Sequence, residues 1–153
     1  MKSPAELTEV FRRQGLKVTP QRLAVFAALH GGDCSHPTAD SVYRTVVRDL
    51  PTVSLRTVYA VLTELSELGE IASIDVGTGA TRFDPNVDGH HHVVCDSCGA
   101  IFDVAVDRLT VSPLGSPDGF DIRSTEVVFR GQCGDCRTTS NLSTPNNTKT
   151  ESS

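Results

Sequence analysis

Apolar residues recur at helical spacing through the first half of the chain and at strand spacing through the second. Between Ser3 and Gln14, Leu7, Val10 and Phe11 share one helical face, with Pro4 in the first turn and Gly15 at the end. Thr19-Pro20 opens a second helix, Thr19 as cap and Pro20 as first residue, and Gly31-Gly32 closes it. Leu23, Phe26, Ala27 and His30 are expected on its inner face. After the turn Ser35-His36-Pro37-Thr38, Thr38 caps a third helix from Ala39 to about Asp49, with Val42, Tyr43, Val46 and Val47 inward. Ser54 caps a fourth, Leu55 to Leu68, which Gly69 stops. Its apolar stripe is Val58, Val61, Leu62, Leu65 and Leu68; Arg56, Thr57, Ala60 and Thr63 lie largely off it.

The period then shortens. Ile71 to Asp75 and Thr81 to Phe83 read as a hairpin around Gly77-Thr-Gly79. Helices followed by a hairpin predict a winged helix-turn-helix over residues 1–82, with the fourth helix as the reader; a small helical bundle with no DNA role fits the same pattern. From 83 to 136 a small α/β domain is expected, with strands at His91 to Cys95, Ala100 to Ala105 and Thr125 to Arg130. Pro113, Gly115 and Pro117 allow only a very short helix between Asp107 and Asp118. Residues 137–153 are almost all Ser, Thr, Asn and charged groups, with one Leu, the composition of a mobile tail. The fold class is therefore α+β.

Charge changes the picture locally. Net charge is −5, which argues against indiscriminate nucleic-acid binding. Yet Arg12, Arg13, Lys17 and Arg22 fall within eleven residues that contain no acid. Such a cluster is either solvated surface or a contact for phosphate or minor groove. Lys17 and Arg22 are the candidates there, joined by Ser54, Arg56, Thr57 and Tyr59 at the start of the fourth helix; Tyr59 fits the core equally well. No apolar run reaches membrane-spanning length and no apolar signal region stands at the N-terminus, so a cytoplasmic protein with reduced cysteines is expected.

The chemistry concentrates after Asp84. Cys95-x-x-Cys98 and Cys133-x-x-Cys136 place sulfurs in pairs on tight turns, and two such turns make a four-sulfur cage suited to structural Zn²⁺. Redox dithiols are the alternative, but no βαβ pattern accompanies them. Cys34 reads as an ordinary small residue. His90 and His92, two apart, share a face on a strand while His91 points away; Asp103 lies on the next strand and Asp84 just upstream. Nitrogen and oxygen donors without thiolate suit Fe²⁺ or Mn²⁺, with Zn²⁺ and Ni²⁺ still open. His36, by pattern alone, fits a turn before a helix cap better than a ligand.

Six stretches together resemble the ferric uptake regulator family: Leu16-Lys-Val-Thr-Pro-Gln-Arg22, His36-Pro-Thr-Ala-Asp40, Ser54-Leu-Arg-Thr-Val-Tyr59, Arg82-Phe-Asp84, His90-His-His-Val-Val-Cys95 with Cys98, and Cys133-x-x-Cys136. The resemblance covers the chain from about residue 3 to 137, and the likeness is greatest to the peroxide-responding branch. The resemblance implies a homodimer paired through the second domain, a palindromic double-stranded DNA operator, and a transcriptional repressor that is not an enzyme. It implies a regulatory Fe²⁺ or Mn²⁺ held by His36, Asp84, His90, His92 and Asp103, and it links Asp rather than Glu at 103 with peroxide sensitivity. His36 and His90 become the oxidation-sensitive ligands. Ala60 stands where relatives often carry Arg or Asn, so the operator sequence is expected to differ. A sensor of metal level on the same scaffold is the first alternative. A zinc deaminase is disfavoured, since His90-His91-His92 holds no Glu and Val94 precedes Cys95. A rubredoxin-like electron carrier would leave the helices unexplained.

Overall fold

Ser3, Thr38 and Ser54 each start a helix by the same device. In the computed structural model, which describes residues 2–31, 36–77, 79–106, 119–121, 125 and 127–141 (139–141 by backbone alone), the side chain of each accepts an amide of the first turn. At Ser3 the bond is reciprocal: Glu6 N–H donates to Ser3 Oγ, and Ser3 N–H donates to the Glu6 carboxylate at 2.7 Å. The helices are α1 (Pro4–Arg13), α2 (Pro20–Gly31), α3 (Ala39–Asp49) and α4 (Leu55–Glu67). Gly15 and Gly69, at φ 70° and 71°, turn the chain out of α1 and α4 in a conformation that side chains disfavour.

These helices and a two-stranded wing form the first of two compact units, Met1–His90; the second is His91–Ser153. Its core joins Leu7 and Phe11 of α1, Val25, Phe26 and Leu29 of α2, Val42 and Val46 of α3, and Val58, Val61, Leu62 and Leu65 of α4. Phe11 and Phe26 meet edge to face at 5.0 Å. The inner face of α2 differs from the expected one. Phe26 is buried as predicted, but Leu23, Ala27 and His30 are exposed, and Val25 and Leu29 take their place. Leu23 to Leu29 are all apolar, so periodicity cannot fix which side turns inward.

The wing pairs β1 (Ala72–Ile74) with β2 (Arg82–Asp84), antiparallel, Ala72 opposite Asp84. β2 also reaches the turn before α3: Thr38 bridges Arg82, and Phe83 N–H donates to the Pro37 carbonyl at 2.9 Å. Asp84 thus belongs to the wing, and the unit runs on to His90 rather than breaking at 82/83.

In the second unit, β3 (His91–Cys95) is the middle strand, with β4 (Ile101–Val104) antiparallel on one side and β5 (Val128–Gly131) parallel on the other. Val93 stands opposite both Phe102 and Phe129, a row of apolar side chains whose two phenylalanines are exposed. A helix that the sequence did not predict, α5 (Gly134–Asn141), follows β5 and takes in residues 137–141 of the expected tail. Cys34, the whole Pro-broken segment 107–118 and most of the expected tail lie outside the described residues. Among the described residues no helix is long and apolar enough to cross a membrane.

Candidate functional sites

The two Cys-x-x-Cys turns come together. Cys95 ends β3, Cys98 lies in the turn toward β4, Cys133 precedes α5 and Cys136 sits in its first turn. One sulfur from each lies within 4.8 Å of the other three. Cys133 N–H donates to Cys95 Sγ at 3.4 Å, and the Cys98 and Cys133 sulfurs are 3.8 Å apart. The Cys133 amide, followed by that of Cys98, holds the Cys95 thiol down to about 6. Hydrogen bonds with the Cys133 and Cys98 thiols push Cys136 up to about 12. The cage thus favours a thiolate at Cys95 and disfavours one at Cys136. A dication among four sulfurs stabilises thiolates at all of them, so the donor set fits Zn²⁺.

The first unit builds a second donor group from three separated residues. His36, in the turn held to the wing, and Asp84, on β2, are buried. Asp84 Oδ1 accepts the Asn86 amide at 2.8 Å, while Oδ2 faces His90 Nε2 at 2.8 Å and His36 Nε2 at 3.7 Å. His90 Nδ1 lies 2.6 Å from the Asp88 carbonyl. A carbonyl only accepts, so Nδ1 carries the proton. A neutral ring then aims the Nε2 lone pair at a carboxylate oxygen, an arrangement that a shared cation stabilises. β3 begins at His91, so His90 stands immediately before the strand. In the second unit His92 and Asp103 are direct partners across β3 and β4, which sets both side chains on one face of the sheet.

The basic cluster does not survive as a group. Arg22, expected to contact phosphate, is turned inward: its Nη2 donates to both Glu64 oxygens at 2.6 and 2.7 Å, and its guanidinium lies over the Phe11 ring at 5.0 Å. Its Nη1 donates to the Lys17 carbonyl. Arg22 therefore ties the loop carrying Lys17 to α4, a role its partner 42 residues away kept out of local sequence. Arg12 pairs with Glu9 at 2.6 Å, whereas Arg13 and Lys17 are exposed with no ion-pair partner among the described residues. Ser54 serves as a cap, accepting Thr57 N–H at 3.1 Å, and Arg56 is exposed. Tyr59 lies between the core and the surface: its ring meets Phe83 edge-on at 6.3 Å, yet it is 43% exposed.

The model of the ferric uptake regulator family matches residues 13–130. The peroxide-responsive repressor PerR of Staphylococcus aureus (strain Mu50) is 31% identical over 128 residues, which cover 82% of this chain and 86% of that protein. Among solved structures, the ferric uptake regulator Fur of Helicobacter pylori, described as having three functional metal binding sites, superposes with a TM-score of 0.68 at 18% identity, over 90% of this chain and 97% of that one. The ferric uptake regulator of Pseudomonas aeruginosa, determined with manganese, gives 0.62 at 22% identity, over 83% and 97%. At those identities the structures speak to the fold.

Proposed function

Because the chain belongs to the ferric uptake regulator family, whose members are metal-dependent DNA-binding regulators and not enzymes, we propose that it is a repressor that releases its operator when hydrogen peroxide oxidises a ligand histidine. The observation that carries this reading is the Asp84 carboxylate facing the His36 and His90 imidazoles. It supplies the nitrogen and oxygen donors that a redox-active Fe²⁺ prefers, with no thiolate among them. His92 and Asp103 complete the proposed set. His92 stands two positions after His90, so their Cα atoms are within about 7 Å even fully extended. Mn²⁺ would occupy the same donors, and Zn²⁺ the four cysteines.

A cation held by donors of both units favours one arrangement of reader against pairing half. It promotes DNA binding only as far as it binds that arrangement better. Each unit prepares its share. Asn86 fixes Asp84, the Asp88 carbonyl fixes the His90 tautomer, and the wing holds the His36 turn through Pro37 and Arg82. Bound iron would supply the one-electron chemistry that cleaves the O–O bond. In the balanced reaction one peroxide oxygen ends on an imidazole carbon of His36 or His90, the other leaves as water, and the altered ring is a poorer ligand. The exposed row of Phe102 and Phe129 supports pairing of two chains through the second unit. A twofold dimer would read a palindrome, and reduced cysteines accord with the cytoplasm.

The test is mass spectrometry of the iron-loaded protein after peroxide, alongside operator binding. A peptide containing His36 or His90 should gain one oxygen as DNA is released, and the manganese-loaded protein should respond slowly. DNA release with no oxygen on either peptide would sink the peroxide switch. Release by chelator but not by peroxide would establish a sensor of metal level.

A further inference from the structure

The outer strip of α4 combines Arg56, Tyr59, Ala60 and Thr63, at positions i, i+3, i+4 and i+7 of one helical face. Tyr59 is half-exposed, the other three are exposed, and Leu55 beside them is 39% exposed. The opposite face, Val58, Val61, Leu62 and Leu65, is buried, so this strip is what the helix offers outward. Arg56 is the one cation in α4. Glu64, an acid of the same helix, is engaged by Arg22.

Two other arginines in this unit are tied down by neighbours one turn away, whereas Arg13 has no ion-pair partner among the described residues. Arg44 pairs with Asp40 at i−4, 2.7 Å, and Arg12 with Glu9 at i−3. Arg56 has Tyr59 and Ala60 at i+3 and i+4 and Thr52 and Val53 on the other side, none of them an acid. Among the described residues it has no hydrogen-bond or ion-pair partner. It stands in the first turn of α4, the part of a reader helix that reaches base edges. The Ala60 methyl, one turn on, leaves space beside it.

Resting on the repressor reading above, the geometry points to Arg56 as the residue that reads a guanine in each operator half-site, its planar guanidinium donating to O6 and N7 in the major groove. A planar fork with two parallel donors matches that pair of acceptors and no other base edge as well. Leu55 and Ala60 offer aliphatic groups at the same level, which suit thymine methyls on the adjoining base pairs. Lys17, whose backbone Arg22 ties to the same helix, is exposed where a phosphate contact would fix the register without reading sequence. The base-reading cation thus occupies the first turn of the helix, one turn before Ala60.

The experiment selects bound sequences from a random duplex library with the full chain loaded with Mn²⁺, for the wild type, Arg56→Ala and Lys17→Ala. Circular dichroism on each variant checks the fold, which an exposed side chain should leave intact. The wild type should enrich one invariant guanine per half-site. Arg56→Ala should lose that preference alone and bind the guanine-containing site about 5- to 150-fold more weakly, while sites substituted at that position change little. Lys17→Ala should weaken all sites alike and reduce the salt slope by about 1. The assignment to guanine is overturned if Arg56→Ala weakens every sequence equally with that same drop in salt slope, since Arg56 is then a phosphate contact. An unchanged sequence preference in Arg56→Ala overturns it as well. If the wild type retains no DNA with Mn²⁺ or Fe²⁺, the repressor reading itself fails and takes this assignment with it.

Discussion

In the first unit, side chains from four helices and the wing close a continuous apolar core around Phe11, Phe26 and Leu62. In the second, among the described residues, the buried apolar side chains are Val94, Cys95 and Ile101, and one of those three is a sulfur donor. The first unit holds its shape by burial, while the second leans on its cysteines. A region that must hold together with so thin an interior needs a staple, and four sulfurs, two from the end of β3 and the turn after it and two from the start of α5 after β5, are placed to provide it.

Removing the metal should break this contrast most visibly. With Cys98→Ser, or after chelation, the second unit should lose its fold and become open to protease. The first, to about His90, should persist. The energy at stake is on the order of 10 kcal/mol, typical of structural zinc in small domains. Acid should act in the same direction. Cys136, pushed up to about 12, keeps its proton at neutral pH and must release it to a metal, so apparent affinity falls as pH falls. In metal-free protein the sign is also fixed for Cys95, whose value is lowered from 9.0 to about 6. Its contribution is present above pH 9 and lost as pH drops through 6. Zinc release monitored across pH 9 to 5 with a colorimetric chelator checks both. Retention that does not change with pH would exclude thiolate ligation.

A cavity in the first unit sharpens the contrast from the other side. Leu62 is fully buried, and Leu62→Ala should cost about 2–5 kcal/mol in urea denaturation of the first unit while zinc content stays unchanged. A smaller effect is expected at the clamp between α2 and α4. Arg22→Met should cost about 1–2 kcal/mol, because a part-buried Glu64 is left without its donors. Adding Glu64→Gln should restore part of that, a coupling that a double-mutant cycle reads directly.

The same division governs what could be read in the sequence. Helix starts were legible wherever a side chain states the boundary: Ser3, Thr38 and Ser54 cap helices where expected, and Gly15 and Gly69 end them. The inner face of α2 was not legible, because an unbroken apolar run from Leu23 to Leu29 carries no phase. α5 was missed because Gly134 to Asn141 shows no apolar stripe; its start is set by Cys133 and Cys136 rather than by burial. The four cysteines were legible as a set because Cys-x-x-Cys is a local turn and two of them make a cage. Strand period placed His92 and Asp103 on neighbouring strands but left their register open, whereas His90 reaches Asp84 from outside any strand. Arg22 looked like free surface charge because the acid that claims it lies on another helix.

The parallel seat of β5 against β3 has a temporal consequence. The middle strand of the second unit is completed by β5, which is synthesised well after it, and Cys133 follows Cys95 by 38 residues. The four helices can pack as soon as they emerge, through contacts close in sequence, whereas the sulfur cage stays open until Cys136 has been translated. A message broken before codon 133 would therefore yield a competent helical head that can neither latch its sheet nor take up zinc, and such a fragment should be cleared by proteases.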